Sequence, residues 1–187
     1  MYMKQTDKLI EDICQILKQY QNSFKNKEEQ QEKNENDLLM DIFDITPEIK
    51  KQNRQYWGRE LGMIWQKIVI RVFQYGCPEL FKPTHKIGKD EPYDLQVGNL
   101  AIDTKYRIGS GDAGTLKKFK QYAKLLKSMD LIPMILILRT DNLPAAITAC
   151  QRGGWEVLQG NEAFNFIEEK SGIDLNYLLK DLAYPLK

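Results

Sequence analysis

Pro92-Tyr93-Asp94-Leu95-Gln96-Val97-Gly98-Asn99-Leu100-Ala101-Ile102-Asp103-Thr104-Lys105-Tyr106 is the segment on which the fold turns. Two short runs of β-favouring residues flank Gly98-Asn99, a pair suited to tight reversal, so the segment predicts a hairpin with strands at Pro92–Val97 and Leu100–Tyr106. Side chains alternate across a strand. Ala101, Asp103 and Lys105 therefore share one face of the second strand, and Leu100, Ile102, Thr104 and Tyr106 share the other.

Upstream, Thr46-Pro47-Glu48 is a helix start, with Thr46 as N-cap, Pro47 at the first helical position and an acid at the positive end of the dipole. Trp57, Leu61, Ile64, Trp65, Ile68, Val69, Val72 and Phe73 continue it as one long amphipathic helix until Gly76-Cys77-Pro78. Gly58 and Gly62 predict close packing or a bend within it. Farther back, Lys4 to Tyr20 has the spacing of an amphipathic helix, and residues 25–37 contain no apolar side chain, which marks the one plausible boundary in the chain.

Downstream, Gly109-Ser110-Gly111 leads to Asp112 as the cap of a helix whose buried stripe is Leu116, Phe119, Tyr122, Ala123 and Leu126. The run Ile132-Pro133-Met134-Ile135-Leu136-Ile137-Leu138 reads as a buried central strand. A short helix at about 144–151, a strand at 155–158 and helices at about 161–170 and 173–182 complete the chain. The expected fold class is α/β, a three-layer sandwich with a central mixed sheet flanked by helices. Its parts are an N-terminal helix (1–24), a polar linker and short helix (25–45), the core (46–160) and a C-terminal helical extension of the same domain (161–187). The terminal helices are expected outside the core, as dimer or clamping elements.

A chain of 187 residues that is 42% hydrophobic and 28% charged can bury a real core, which excludes wholesale disorder and fibrous architectures. No membrane-length apolar run and no signal-peptide pattern is present, so the expectation is a cytoplasmic protein with no membrane partner. Cys14, Cys77 and Cys150 are widely separated and read as core residues rather than disulfide or zinc positions. His85 is the only histidine, which excludes a histidine-ligated zinc cluster and leaves any chemistry to carboxylates and lysines.

The net charge of +1 conceals a pattern. Residues 103–127 carry seven basic side chains against two acids, while residues 1–50 carry seven lysines against eleven acids. By charge alone the basic block is a solvated helix face; it is also what a phosphate-binding surface requires.

Pro92-Tyr93-Asp94, eight residues, then Asp103-Thr104-Lys105, set in this element order, resembles the PD-(D/E)xK nuclease superfamily. Its core runs α-β-β-β-α-β, with one acid on the first hairpin strand and D/E-x-K on the next. The Trp57-Gly58-Arg59-Glu60-Leu61-Gly62 helix and the segment from Tyr93-Asp94 to Lys105-Tyr106-Arg107-Ile108-Gly109-Ser110-Gly111-Asp112 are similar to the ApaLI-like type II restriction endonucleases, a likeness covering about residues 50–160. The resemblance implies a restriction-endonuclease-like sandwich and Mg²⁺-dependent hydrolysis of double-stranded DNA at a specific short site. Paired carboxylates suit a hard cation, so Asp94 and Asp103 are the expected metal ligands, with Lys105 positioning water and neutralising growing charge. Glu60 on the preceding helix is a further catalytic candidate; its other reading is an ordinary surface acid.

Arg107, Ser110, Lys117, Lys118 and Gln121 are expected DNA contacts under this reading. The Gly109–Asp112 loop lacks the Gly-Lys-Ser/Thr of a Walker motif and is either a simple connection or a phosphate-approaching turn. One site per chain implies a homodimer if both strands of a palindrome are cut. A bare D-x-K string recurs by chance, and the strand context is what gives it weight. Two rivals remain: a structure-specific repair or recombination nuclease of the junction-resolvase kind, and a catalytically silent DNA-binding subunit.

Overall fold

The computed structural model describes residue 33, residues 35–109 and residues 113–183. The expected N-terminal helix, most of the polar run, Ser110 and the Asp112 cap lie outside the described residues. The chain divides into compact units at Met1–Lys33 and Asn34–Lys187, a division within the polar run. All the described helices and strands belong to the second unit.

Helices α1 (Leu38–Ile42), α2 (Pro47–Gln52) and α3 (Arg54–Gly76) come first, then strands β1 (Phe81–Pro83), β2 (Leu95–Val97) and β3 (Leu100–Lys105). Helix α4 (Ala113–Lys127), strand β4 (Ile132–Ile137), helix α5 (Pro144–Gly153), strand β5 (Glu156–Gln159) and helices α6 (Asn161–Ser171) and α7 (Leu175–Ala183) complete the order. The five strands lie side by side in sequence order; β1, β2 and β3 pair antiparallel, and β3, β4 and β5 pair parallel. The protein is thus α/β with a mixed sheet flanked by helices. Among the described residues no helix is long and apolar enough to cross a membrane.

The expected hairpin is present. Gly98 alone of the two turn residues has positive φ, 58°, the type II′ pattern that suits the twist of the flanking strands. Alternation along β3 and β4 then feeds two cores. Ile102, Tyr106, Met134 and Leu136 pack with α1, α3, α6 and α7, while Ala101, Ile135 and Ile137 pack with α4 and α5. Trp65 anchors the first core: it is fully buried, its indole N–H donates to the Leu136 carbonyl (3.2 Å), and its ring meets Phe164 edge-on at 5.5 Å.

Four expectations are corrected. The single helix from Pro47 is two, because Asn53 leaves helical geometry (φ −150°, ψ 74°) and its side chain caps α3 by accepting from Tyr56 N–H (3.1 Å). Strand β1 has no counterpart in the residue pattern: it is three residues long and ends in Pro83, tolerated because β1 is an edge strand. Strand β2 begins at Leu95 rather than Pro92, because the Asp94 side chain displaces the regular backbone pairing there. Finally, the C-terminal helices are not outside the core: Ala163, Phe164, Ile167, Leu175 and Leu179 are buried in it, as are Leu39 and Met40 of α1.

Candidate active site

Asp103 and Lys105 lie on the same face of β3, as alternation demands. Lys105 Nζ donates to Asp103 Oδ1 (2.8 Å) and lies 2.6 Å from Oδ2. That second contact lacks hydrogen-bond geometry, which leaves Oδ2 the one fully buried side-chain oxygen without a hydrogen bond among the described residues. The pair lines a cavity of about 160 Å³ with Glu91, Pro92, Lys118, Phe119 and Tyr122. Lys105 also stands over the Phe119 ring, 6.0 Å from its centre.

Burial pushes the Asp103 carboxyl up to about 6; Lys105 opposes the shift and Asp94 adds to it. Burial acts to lower the Lys105 ammonium, but attraction to Asp103, aided by Asp94, outweighs it and the net shift is upward. Lys105 is therefore held as a cation. Cys150, buried in the same core, has its thiol pushed up to about 11, first by burial and then by Asp103.

Asp94 acts on the charge of Asp103 but does not line that cavity, and it is held by Thr104 and by Gln66 of α3. Its Oδ2 accepts from the Thr104 backbone N–H (2.7 Å) and hydroxyl (2.5 Å), and its Oδ1 accepts from Gln66 Nε2 on α3 (2.6 Å). The Asp94 N–H meanwhile donates to the Ile102 carbonyl (2.8 Å). Regular pairing of β2 with β3 stops at Leu95↔Ile102, and the Asp94 side chain takes the next donor on β3 in place of a backbone carbonyl. That substitution makes β2 shorter than its residue pattern suggests. Thr104, the middle residue of the D-x-K string, hence ties Asp94 and α3 to β3, while its two neighbours face α4.

Glu60 pairs with its neighbour Arg59 (3.0 Å) and is more than one-third exposed. The α3 residue that meets Asp94 is Gln66, about 120° around the helix from Glu60. Arg107 is largely buried, donating to the Asp141 carbonyl (3.0 Å) with the Asp141 carboxylate at 3.4 Å. Lys118 is at the cavity, 3.5 Å from Asp90. Lys117 and Gln121 are exposed on α4, and Lys117 lines a second groove away from Asp103. His85 is an exposed loop residue whose Nδ1 lies 2.6 Å from the Tyr93 hydroxyl.

Sequence reasoning misses Gln66 and a buried polar cluster beside the site. The Tyr106 hydroxyl donates to Asp37, the α1 cap, and accepts from buried Lys50 (2.6 Å). Arg139 also donates to Asp37 (2.8 Å) and to Asp141 (2.7 Å). Burial, with Asp37 adding to it, pushes the Tyr106 phenol upward. A polar residue beside the apolar stripe of α3 is the available signal for Gln66; Lys50 looks like any helix lysine.

Among the described residues no three His, Cys, Asp or Glu side chains gather as a ready metal cluster. The donor chemistry nonetheless fits a hard divalent cation. Asp103 offers a buried oxygen that accepts no hydrogen bond and has the Lys105 ammonium at 2.6 Å, and the Asp94 carboxyl oxygens accept three hydrogen bonds out of about four acceptor positions. No family model, curated protein or solved structure matches the chain.

Proposed function

We propose that the protein is a Mg²⁺-dependent endodeoxyribonuclease of the PD-(D/E)xK class, a type II restriction enzyme that hydrolyses double-stranded DNA at a specific short site and works as a cytoplasmic homodimer. One observation carries the reading: Asp103, whose buried Oδ2 accepts no hydrogen bond and is countered by the Lys105 ammonium at 2.6 Å, and that lysine, held cationic two residues along the same strand, face one cavity. The α-β-β-β-α-β order of α3 through β4 supports the restriction-endonuclease-like fold.

Asp94 and Asp103 would hold the ion. When bound, Mg²⁺ supplies an activated water and neutralises charge on the scissile phosphate. Lys105 contributes a fixed positive charge beside the phosphate and orients the attacking water by donation. Its upward shift suits that role rather than that of a general base. Lys118, exposed at the cavity, attracts the phosphate backbone. Gln66 and Thr104 hold Asp94 in one orientation, so less is lost in ordering it at each turnover.

Digestion of plasmid and genomic DNA with Mg²⁺ or with EDTA tests the proposal; discrete Mg²⁺-dependent fragments are expected. A silent DNA-binding subunit is the second reading, favoured by the three hydrogen bonds that already occupy Asp94. It predicts binding without cleavage in either condition.

A further inference from the structure

Helix α4 has a second working side. Lys117, Lys120, Lys124 and Lys127 recur at steps of three and four residues, which places them within about 80° of one another around the helix. The first two line a groove of about 610 Å³ between α4 and α5, to which α5 contributes Thr148, Ala149 and Arg152. Beside the groove the two helices pack closely: a Cβ on Gly153 would stand 3.4 Å from the Lys120 Cα. Among the described residues no carboxylate lines it. Lys117, Lys120, Lys124 and Arg152 are all exposed and, among the described residues, form no ion pair. Lys118, one position around the helix, is by contrast paired with Asp90 and turned to the Asp103 cavity.

Four uncompensated cations beside a groove repel one another and favour a ligand that brings negative charge in a row. From Lys117 to Lys127 the stripe is about 15 Å long, the axial span of about four phosphates along one strand of a duplex. We infer that the α4–α5 groove is a second contact surface for the duplex DNA backbone, separate from the cavity of Asp103 and Lys105, with Lys120, Lys124 and Arg152 as phosphate contacts. The inference rests on the proposed function for its partner and extends that reading to a surface the D-x-K string does not predict. A backbone contact of this kind adds affinity without reading sequence, and holds the duplex while the cavity engages one phosphate.

The test is binding in EDTA, which separates the surface from any cleavage. Fluorescence anisotropy with a labelled duplex of arbitrary sequence, at several salt concentrations, compares the full chain with Lys120→Gln/Lys124→Gln/Arg152→Gln. The expected result is at least about tenfold weaker binding by the variant, with the log–log salt slope smaller by about three. Equal affinity and slope overturn the inference, as does wild-type protein that fails to bind duplex DNA. Because all three side chains are exposed, an unchanged melting temperature is expected and certifies the comparison. Cleavage with an unchanged slope removes this surface and leaves the nuclease reading standing. Binding that depends on the three residues in a protein that never cleaves retains the surface and removes the nuclease.

Discussion

Thr104 holds Asp94 twice, donating from its backbone N–H at 2.7 Å and from its hydroxyl at 2.5 Å to the same carboxylate oxygen. This makes the middle residue of the D-x-K string structural: it joins the acid before β2 to the strand that carries the other acid and the lysine. Thr104→Val keeps the shape and the backbone bond but removes the hydroxyl donor. It is expected to cost about 1.5–3 kcal/mol, the range for a hydrogen bond to a charged group, and to lower the melting temperature by several degrees. Thr104→Ser should recover most of the loss. Thermal melts of the three proteins check this; equal melting temperatures would show that the hydroxyl contributes nothing.

Asp103 makes stability depend on pH in the opposite sense from an ordinary salt-bridged acid. Its folded-state pKa, about 6, lies above the ordinary aspartate value of 3.8, so its contribution is fully present below about 3.8 and is lost as pH rises through about 6. In EDTA, the stability of Asp103→Asn relative to wild type should therefore improve between about pH 4 and about pH 7. Urea midpoints at both pH values measure it, and a constant difference would contradict the shift. Protons and Mg²⁺ compete for the same carboxylate, so stabilisation by added Mg²⁺ should fade as pH drops below about 6.

Two glycines of α3 predict opposite signs for the same substitution. A Cβ on Gly76 would lie 2.3 Å from the Ser171 carbonyl oxygen and 2.8 Å from its Cα, backbone atoms that cannot swing away. Gly76→Ala should therefore destabilise by about 1–3 kcal/mol. A Cβ on Gly58 meets nothing within 4 Å, so Gly58→Ala gains helix propensity and should stabilise by about 0.5–1 kcal/mol. Denaturant midpoints of the two variants decide it.

Much of this architecture can be read along the chain because alternation and helical spacing are local. The split of Ile102 and Thr104 from Asp103 and Lys105, the Thr46 cap and the aliphatic β4 all come from residues within a few positions of one another. What escapes depends on distant partners. Asn53 could equally have continued a helix. Gln66 gains its role from an acid 28 positions away, and Lys50 is buried by Tyr106, 56 positions away. Glu60 carries the expected chemistry for its helix, yet its neighbour Arg59 holds it, and nothing in the spacing distinguishes it from Gln66.

If Asp103 and Lys105 cleave DNA, a single comparison should show it. Wild type, Asp103→Asn and Lys105→Ala are incubated with plasmid and genomic DNA in Mg²⁺, with duplex binding followed in parallel. Discrete fragments from wild type alone are expected, together with duplex binding by all three proteins. Cleavage that survives in Lys105→Ala, or wild-type protein that binds duplex and leaves it intact in Mg²⁺, would contradict the nuclease assignment.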